Sequence, residues 1–195
     1  MKIRKTRFIF SLLIIAISLF LVAPLDAYRS PQPVNVIRSV EGIVTDVSDG
    51  DTFKLITADG TKLKVRTAFY DALETPKIDR RTGKVKKPGQ PFGEEVATAF
   101  RKKVEGKKVR VDIIDIDRYK RMVGIVWLDG RNINLEMVRE GWAQCYRQYL
   151  RPPYTQQFIQ AEGMAKRERK GIWGRSDYED PANFRKRLRI AGDGQ

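Results

Sequence analysis

Residues 49–74 read DGDTFKLITADGTKLKVRTAFYDALE, and this stretch decides the fold of the chain. Apolar residues alternate with lysines on both sides of Asp59-Gly60, a dipeptide typical of tight turns, so the stretch predicts a β-hairpin. Arg66 closes its second strand. Acidic residues stand at both ends of the hairpin: Asp49, Asp51, Asp71 and Glu74. Carboxylates gathered beside an arginine at the ends of paired strands indicate a site for a hard cation and a phosphate.

The rest of the chain supplies the other elements of a small barrel. The hairpin strands are predicted at Thr52–Thr57 and Lys62–Arg66, and three more strands at Val36–Val47, Lys108–Ile116 and Met122–Leu128. Gly42 interrupts the first of these and predicts a bulge there. Helices are predicted at Phe92–Val104, Asn134–Glu140 and Thr155–Lys170. Five strands around about three helices, without βαβ alternation, predict an α+β domain built on a closed five-stranded β-barrel.

The first 27 residues have the composition of a targeting segment. Four basic residues precede an apolar run: Lys2, Arg4, Lys5 and Arg7. The run spans residues 8–25, and Ala27 follows it as a small residue suited to cleavage. Two interpretations stay open, a cleaved signal peptide and a retained membrane anchor formed by residues 8–25. Both predict export from the cytoplasm, to a secreted, periplasmic or membrane-anchored location.

The remaining segments are organised around one domain. Residues 28–35 are rich in proline and polar side chains and predict a linker. Residues 36–175 form the predicted barrel domain, and residues 176–195 a polar C-terminal tail that is at most partly ordered. Within the domain, residues 77–90 are basic and lack apolar periodicity, which predicts a flexible loop. That loop is either a flap that contacts phosphate or a solvated surface loop.

Charge and residue usage limit the chemistry. Lysine and arginine number 38 against 24 acidic residues, a net charge of +14. The charge stays near +11 without residues 1–27, which favours a polyanionic partner, either nucleic acid or an anionic membrane surface. The chain has no histidine and a single cysteine, Cys145, so zinc sites built on those ligands are excluded. Acid–base chemistry falls to Asp, Glu, Lys or Tyr.

An EF-hand explanation of the acidic hairpin fails. Read as the start of such a loop, residues 46–51 place glycine one position early, and Thr57 stands where the closing glutamate belongs. Each acidic residue taken alone has an ordinary explanation, as a turn, a strand end or a surface side chain. Together with Arg66 and Arg121, both at strand edges, they are an unusual concentration of charge at one end of a barrel.

Five segments in order, from about Val40 to Gly174, resemble the staphylococcal nuclease (thermonuclease) family. They are SDGDTFKL, VRTAFYDALETP, FGEEVATAFRKKV, DRYKRMVGIVWLDGRNINLEMVREGWA and AEGMAKRERKGIWG. The resemblance implies an OB-fold barrel that carries a Ca²⁺-dependent phosphodiesterase site for DNA and RNA. We also expect a monomer.

The resemblance assigns roles to individual residues. Asp51 and Asp71 match metal-binding aspartates, with the backbone carbonyl of Ala72 beside the second. Glu74 matches the glutamate that orients or deprotonates the attacking water. Arg66 and Arg121 match two arginines that clamp phosphate. The residues matched or expected to contact substrate are Tyr119, Arg118, Lys120 and Tyr149.

Several positions depart from the family's pattern. Phe69 and Tyr70 stand where aliphatic residues or glycine are usual, and Leu73 replaces a proline. Lys120 replaces a glycine, and Arg147 stands where a nucleotide-contacting tyrosine is expected. These changes affect the rigidity of the loop and the fit of the substrate, but they remove no charged catalytic group.

Two alternatives to a nuclease remain. A binding module that keeps the barrel and has lost catalysis explains the basic surface, although all five charged site residues are present. A protein that docks on anionic lipid through its N-terminal segment explains the first 30 residues but not the acidic hairpin.

Overall fold

The computed structural model of the chain describes residues 32–193. The predicted signal or anchor segment, residues 1–27, and the start of the linker lie outside the described residues. Within the described part, no helix combines the length and the apolar character that crossing a bilayer requires. The anchor at residues 8–25 therefore stays a prediction from the sequence.

The described residues form strands, four α-helices and two short 3₁₀ turns. The strands are β1 (Arg38–Val47), β2 (Thr52–Thr57), β3 (Lys62–Thr67), β4 (Tyr70–Ala72), β5 (Lys77–Ile78), β6 (Val85–Lys87), β7 (Lys108–Ile116), β8 (Met122–Leu128), β9 (Arg131–Asn132) and β10 (Ala143–Cys145). The helices are α1 (Gly93–Val104), α2 (Ile133–Arg139), α3 (Thr155–Arg167) and α4 (Pro181–Asp193). The 3₁₀ turns are Arg147–Tyr149 and Gly171–Gly174.

Five strands close into the predicted barrel. They lie in the order β3-β2-β1-β7-β8, with antiparallel neighbours. A parallel pairing of β3 with β8, which places Arg66 opposite Val123, joins the two ends. Phe53 and Val65 lie opposite each other in the hairpin, and both are fully buried. Alternate residues of a strand point to the same side, so each strand of the hairpin turns one set of side chains into the barrel. The closed five-stranded barrel with several helices is confirmed, and it is consistent with an OB-fold.

The bulge in β1 lies further along the strand than the sequence indicates. Gly42 pairs in regular register with Thr57 and Val109, and the register shifts between Val44 and Asp46. A Cβ on Gly42 would lie 2.4 Å from the carbonyl oxygen of Ile56. Glycine is therefore required at position 42 for the close approach of the neighbouring strand, not for a bend.

A buried asparagine ties α2 to the barrel and to the segment that leads into β4. The side-chain oxygen of Asn134 accepts a hydrogen bond from the Val126 amide at 2.9 Å. Its amide nitrogen donates to the carbonyl oxygens of Ala68, at 2.9 Å, and Gly124, at 3.1 Å. All three hydrogen bonds of the Asn134 side chain lie inside the core. The backbone at Ala68 is therefore held by a side chain from a helix that is distant in the sequence.

The basic segment 77–90 contains a hairpin, and its prediction as a flexible loop is wrong. Strands β5 and β6 pair antiparallel. Asp79 organises the connection, because its carboxylate accepts hydrogen bonds from the amides of Arg81, at 2.8 Å, and Thr82, at 3.1 Å. Two strands of two and three residues are too short to show a period of two in the sequence.

The polar tail is also more ordered than expected, because residues 181–193 form α4. Its first turn is capped by Asp180, whose carboxylate accepts from the amides of Ala182, at 2.8 Å, and Asn183, at 3.2 Å. Phe184 is only 3% exposed. One buried aromatic side chain and a capped first turn hold a helix whose overall composition is polar and basic.

Candidate active site

A cleft of about 1050 Å³ opens where the start of β2, the end of β3 and the β7–β8 turn meet. Most of the predicted site residues line it: Asp51, Arg66, Ala72, Glu74, Arg118, Tyr119, Arg121 and Tyr149. Asp71 does not line the cleft because it is fully buried beneath it, and Lys120 lies outside it. The fold therefore gathers residues that are 98 positions apart at the extremes in one cavity.

Asp51, Asp71 and Arg66 form the buried base of the cleft. One terminal nitrogen of Arg66, Nη2, lies 2.9 Å from Asp51 Oδ2 and 2.8 Å from Asp71 Oδ1. Asp51 directly precedes β2, and Arg66 in β3 lies opposite Thr52. Asp71 lies in β4, opposite Gln144 of β10. Pairing of β2 with β3 thus brings Asp51 to Arg66, and β4, which pairs with β10, brings Asp71 to the same guanidinium.

The backbone around Asp51 is fixed by its neighbours. Its carbonyl oxygen accepts from the Thr67 amide at 2.8 Å, and the Thr52 hydroxyl donates to its carboxylate at 2.8 Å. The preceding residue, Gly50, accepts a 2.9 Å bond from the hydroxyl of buried Tyr70. A Cβ on Gly50 would lie 2.5 Å from a Val96 methyl carbon, so glycine is needed here to let α1 approach.

The acids at this base differ in their readiness to ionise. Burial alone would raise the pKa of Asp51, but the Arg66 charge and its hydrogen bonds hold that pKa below its ordinary value. Burial raises the pKa of Asp71, more than the nearby arginines lower it. Burial and the charge of Asp51 raise the pKa of Asp49 to about 7. Asp51 is therefore the carboxylate that keeps its charge most firmly.

Glu74 lies beyond β4 on the open side of the cleft. Its side chain is 17% exposed. The Lys87 ammonium of the basic hairpin lies 3.4 Å from Glu74 Oε2. The Glu74 backbone amide donates to the buried Gln90 side chain at 3.0 Å. This carboxylate is thus held at a fixed backbone position while its oxygens reach the cleft.

Arg121 enters from the β7–β8 turn. Its Nε and Nη2 both lie 2.7 Å from Asp117 Oδ2, and its Nη1 donates to the Thr52 hydroxyl at 3.2 Å. Since Thr52 donates in turn to Asp51, Arg121 is linked to the buried base through one hydroxyl. Tyr119 is 64% exposed, with the guanidinium groups of Arg118 and Arg121 over its ring at 4.9 and 5.5 Å. Two cationic groups thus lie close to one exposed aromatic ring.

A further arginine reaches the cleft from α4. Arg185 Nη2 lies 2.6 Å from Asp71 Oδ2, and its Nη1 lies 3.2 Å from Asp71 Oδ1. The same Nη1 lies 2.9 Å from Glu74 Oε1. Arg185 therefore binds both carboxylate oxygens of Asp71 through its two terminal nitrogens, and one of these nitrogens also contacts Glu74.

The remaining predicted contacts divide into two groups. Tyr149 is half exposed at the cleft and packs edge-to-face against Tyr146, which also lines it. Lys120 has a left-handed backbone with φ 59° and shapes the turn between Tyr119 and Arg121. Arg147 pairs with buried Glu162 and does not line the cleft. The Arg147 side chain, which is 57% exposed, is thus paired with an acidic residue of α3.

Residues 65–175 match the family described as Staphylococcal nuclease homologue, which is more than half of the chain. The chain belongs to the staphylococcal nuclease family.

Individual relatives agree with this membership. An uncharacterized endonuclease of Haemophilus influenzae is 32% identical over 147 residues, covering 75% of this chain and 74% of the relative. Endonuclease Htp3 of Saprolegnia parasitica is 31% identical, with 77% of each chain covered. A probable endonuclease LCL3 of Arthroderma otae is 29% identical, covering 86% of this chain and 71% of the relative.

The three residues that depart from the family's pattern between Arg66 and Glu74 point into the core. Phe69, Tyr70 and Leu73 are at most 3% exposed. Phe69 has a left-handed backbone with φ 72° and packs against Tyr154 and Phe158. These three side chains therefore belong to the hydrophobic core next to the site.

The donors present suit a hard divalent cation in part. Asp51 and Asp71 both place a carboxylate oxygen within 2.9 Å of one Arg66 nitrogen, and carboxylate oxygens are ligands that a cation such as Ca²⁺ would take here. Within residues 32–193, no group of three or more histidine, cysteine or acidic side chains converges as a metal site. A cation held here needs backbone carbonyl oxygen, such as that of Ala72, and water to complete its ligands.

Sequence reasoning missed Thr52, Tyr146 and Arg185 as members of the site. No family motif covers Arg185, which lies beyond Gly174. The signal that would have found its helix is the run Asp180-Pro181, an N-cap acid followed by proline at the first helical position.

Proposed function

We propose that this chain is an exported, Ca²⁺-dependent nuclease built on an OB-fold barrel, which hydrolyses DNA and RNA with little sequence preference. Membership of the staphylococcal nuclease family makes the chain a hydrolase of the nuclease class. The observation that carries the proposal is the joint placement of two buried aspartates, one glutamate and two arginines at a single cleft. Hydrolysis of a phosphodiester uses these groups. Carboxylates hold a cation, a base lies beside the attacking water, and cationic side chains bind the phosphate oxygens.

Asp51 and Asp71, with the Ala72 carbonyl, are the residues that would hold Ca²⁺. A bound divalent cation supplies positive charge to the phosphoryl oxygens as negative charge builds up on them. The low pKa of Asp51 suits this role, since that carboxylate stays ionised. Burial of Asp71 beneath the cleft keeps its position fixed.

Glu74 is the group placed to act on water. Its carboxylate lines the cleft and shares the contact with Arg185 that Asp71 makes. It orients the attacking water or takes its proton, and positioning alone lowers the barrier substantially. The product of attack is a phosphomonoester and a free hydroxyl, with one P–O bond formed and one broken.

Arg66 and Arg121 are placed to stabilise the pentacoordinate phosphate. They approach the cleft from β3 and from the β7–β8 turn, on two sides of Thr52. A guanidinium fork binds two phosphate oxygens at once, which a lysine does not do. In a partly buried site each such donor contributes roughly 3–4 kcal/mol of transition-state stabilisation.

Substrate binding falls to the aromatic and basic rim. Tyr119 and Tyr149 offer faces for bases or sugars, and stacking of this kind is tolerant of sequence. Arg118 beside Tyr119 adds positive charge. The excess of basic residues attracts the phosphate backbone without regard to sequence, so binding weakens steeply as salt increases.

The test is cleavage with and without metal. Plasmid, single-stranded DNA and RNA are incubated with the purified protein in Ca²⁺ or in EGTA. Cleavage of all three that requires Ca²⁺ is the expected result. Binding of DNA without cleavage would instead favour the alternative of a catalytically inactive nucleic-acid-binding module.

Glu74→Gln separates catalysis from binding. Because a positioned acid or base contributes roughly 10²–10⁴-fold to rate, cleavage is expected to fall by that factor. Affinity for a short DNA duplex, measured by fluorescence anisotropy, stays close to that of the wild type. Unchanged cleavage would assign the water to another residue.

Export rests on residues 1–27, and the mature protein is expected as a monomer. Mass spectrometry of the protein recovered from cells distinguishes a form beginning at Tyr28 from a form that retains the apolar run. Ile14→Arg, within that run, is expected to leave the protein in the cytoplasm. Light scattering checks the monomer.

A further inference from the structure

Arg185 has no role in the nuclease function proposed above. It is carried by α4, outside the residues that match the family. Its guanidinium occupies both oxygens of Asp71 and one oxygen of Glu74, at 2.6 to 3.2 Å. Its side chain is 28% exposed, so the contact is partly shielded from water.

Contacts around the start of α4 fix the position of Arg185. Phe184 beside it is buried, and Asp180 caps the helix. Gln90 donates to the Glu179 carbonyl at 2.8 Å, and Gln144 donates to the Asp180 carboxylate at 2.6 Å. The start of α4 is therefore bonded to the segment after β6 and to β10, which pairs with the strand that carries Asp71.

The charges at the base of the cleft cancel when Arg185 is counted. Three carboxylates, on Asp51, Asp71 and Glu74, face three cations within 3.4 Å, on Arg66, Arg185 and Lys87. A divalent cation gains little net attraction from a balanced cluster. Removing Arg185 leaves one uncompensated negative charge and frees Oδ2 of Asp71, while Oδ1 keeps its contact with Arg66.

We propose, on the basis of the Ca²⁺-dependent function proposed above, that Arg185 is a positioning residue that competes with the divalent cation for Asp71 and so sets the metal affinity of the site. Ca²⁺ binding to Asp71 requires the guanidinium to give up at least one of its two bonds there. Its bond to Glu74 then holds that carboxylate next to the metal-binding aspartate.

Ca²⁺ binding by isothermal titration calorimetry, without nucleic acid, tests this directly. Arg185→Gln is expected to bind Ca²⁺ roughly tenfold tighter or more than the wild type, because a neighbouring unit charge is lost from a partly buried site. Arg185→Lys keeps the charge and loses the fork, so its affinity is expected to lie between the two. Arg187→Gln is the matched control: Arg187 lies on the same helix, pairs with Glu179 at the surface, and its loss leaves the affinity unchanged.

Unchanged or weaker Ca²⁺ binding in Arg185→Gln, in a protein that still cleaves DNA with Ca²⁺, overturns the competition and leaves the nuclease proposal standing. Absence of both Ca²⁺ binding and cleavage in the wild type overturns both proposals. Should Arg185→Gln fold poorly by circular dichroism, Arg185→Lys carries the test, and affinity equal to the wild type overturns the proposal. Stabilisation by Ca²⁺ in thermal melts provides a second readout, expected to be larger for Arg185→Gln.

Discussion

The two walls of the cleft are held in place by different means. On the barrel wall, Asp51, Arg66 and Asp71 belong to paired strands or adjoin them, and the two aspartates are buried. On the other wall, Arg185 depends on a helix with one fully buried aromatic residue, Phe184. Elements with few buried contacts open at lower free energy than the core. We therefore expect α4 to open at a lower free energy than the barrel wall.

The two walls meet at β10. Asp71 of β4 pairs with Gln144, and the side chain of Gln144 bonds Asp180 and Tyr178 of the C-terminal segment. The walls are thus connected both through this strand of three residues and directly, by the ion pair of Arg185 with Asp71.

Breaking the barrel wall has the largest expected effect. Arg66→Lys keeps the charge but loses the planar fork that binds two phosphate oxygens at once, so the cleavage rate is expected to fall about 10²–10³-fold. Lys62→Ala, on the same strand but exposed and outside the cleft, is the control and keeps wild-type rates. Single-turnover cleavage of a labelled oligonucleotide measures both. A loss of less than threefold in Arg66→Lys would argue against a bidentate contact with phosphate.

Weakening the α4 wall is expected to have the next largest effect. Phe184→Ala removes its buried aromatic side chain, which costs about 3 kcal/mol for a fully buried phenylalanine. Because the barrel does not depend on this contact, we expect hydrogen exchange to speed up at residues 181–193 and to stay unchanged in β1 and β7. Equal loss of protection in the barrel would show that the two walls unfold together.

The contribution of β10, where the two walls meet, to the free energy of unfolding is expected to depend on pH. Burial, followed by the charge of Glu162, raises the pKa of Cys145 in β10 from 9.0 to about 12. The unfolded thiol ionises first as pH rises, so this contribution is intact below pH 9 and is lost between pH 9 and 12. Urea unfolding at pH 8 and pH 10 is expected to show the wild type losing about 1 kcal/mol more than Cys145→Ala. Equal losses in the two proteins would mean that the thiol is not buried.

The smallest effect is expected at the basic hairpin that borders the cleft. Exposed Arg81, at its turn, is placed to touch a phosphate outside the site. Arg81→Ala is expected to weaken DNA binding only a few-fold and to lower the slope of log affinity against log salt by about 1. An unchanged slope would make the hairpin a solvated surface element, the other interpretation that the sequence leaves open.

The barrel wall was predictable from the sequence because its signals are local. Alternating residues such as Phe53 and Leu55 define a strand, Asp59-Gly60 defines the turn, and the resemblance then places Asp51, Arg66 and Asp71 on it. The parallel pairing of β3 with β8 has no local signal, since it joins residues more than fifty positions apart. Only the closure of the barrel makes that contact necessary.

The α4 wall was missed because its stability comes from few residues. A helix whose composition is polar looks like a solvated tail unless its start is recognised at Asp180-Pro181. Even then, nothing in the sequence indicates that Arg185 faces Asp71, because that contact depends on where Phe184 and the cap dock. The bulge expected at Gly42 failed for a related reason, since a glycine in a strand permits either a bend or a close neighbour.

Asn134 has a consequence for how this site can evolve. Its amide holds the carbonyl of Ala68 from another element, so the path of the chain into β4 does not depend on the side chains that follow. Position 73 can exchange one apolar side chain for another as long as the core stays filled, whereas Tyr70 also supplies a hydroxyl to the Gly50 carbonyl and Phe69 keeps a left-handed backbone. Position 134 has no such freedom: aspartate lacks the donors, leucine lacks every polar atom, and glutamine is one methylene too long. Variation in the loop is made tolerable by a restriction sixty residues away in the chain.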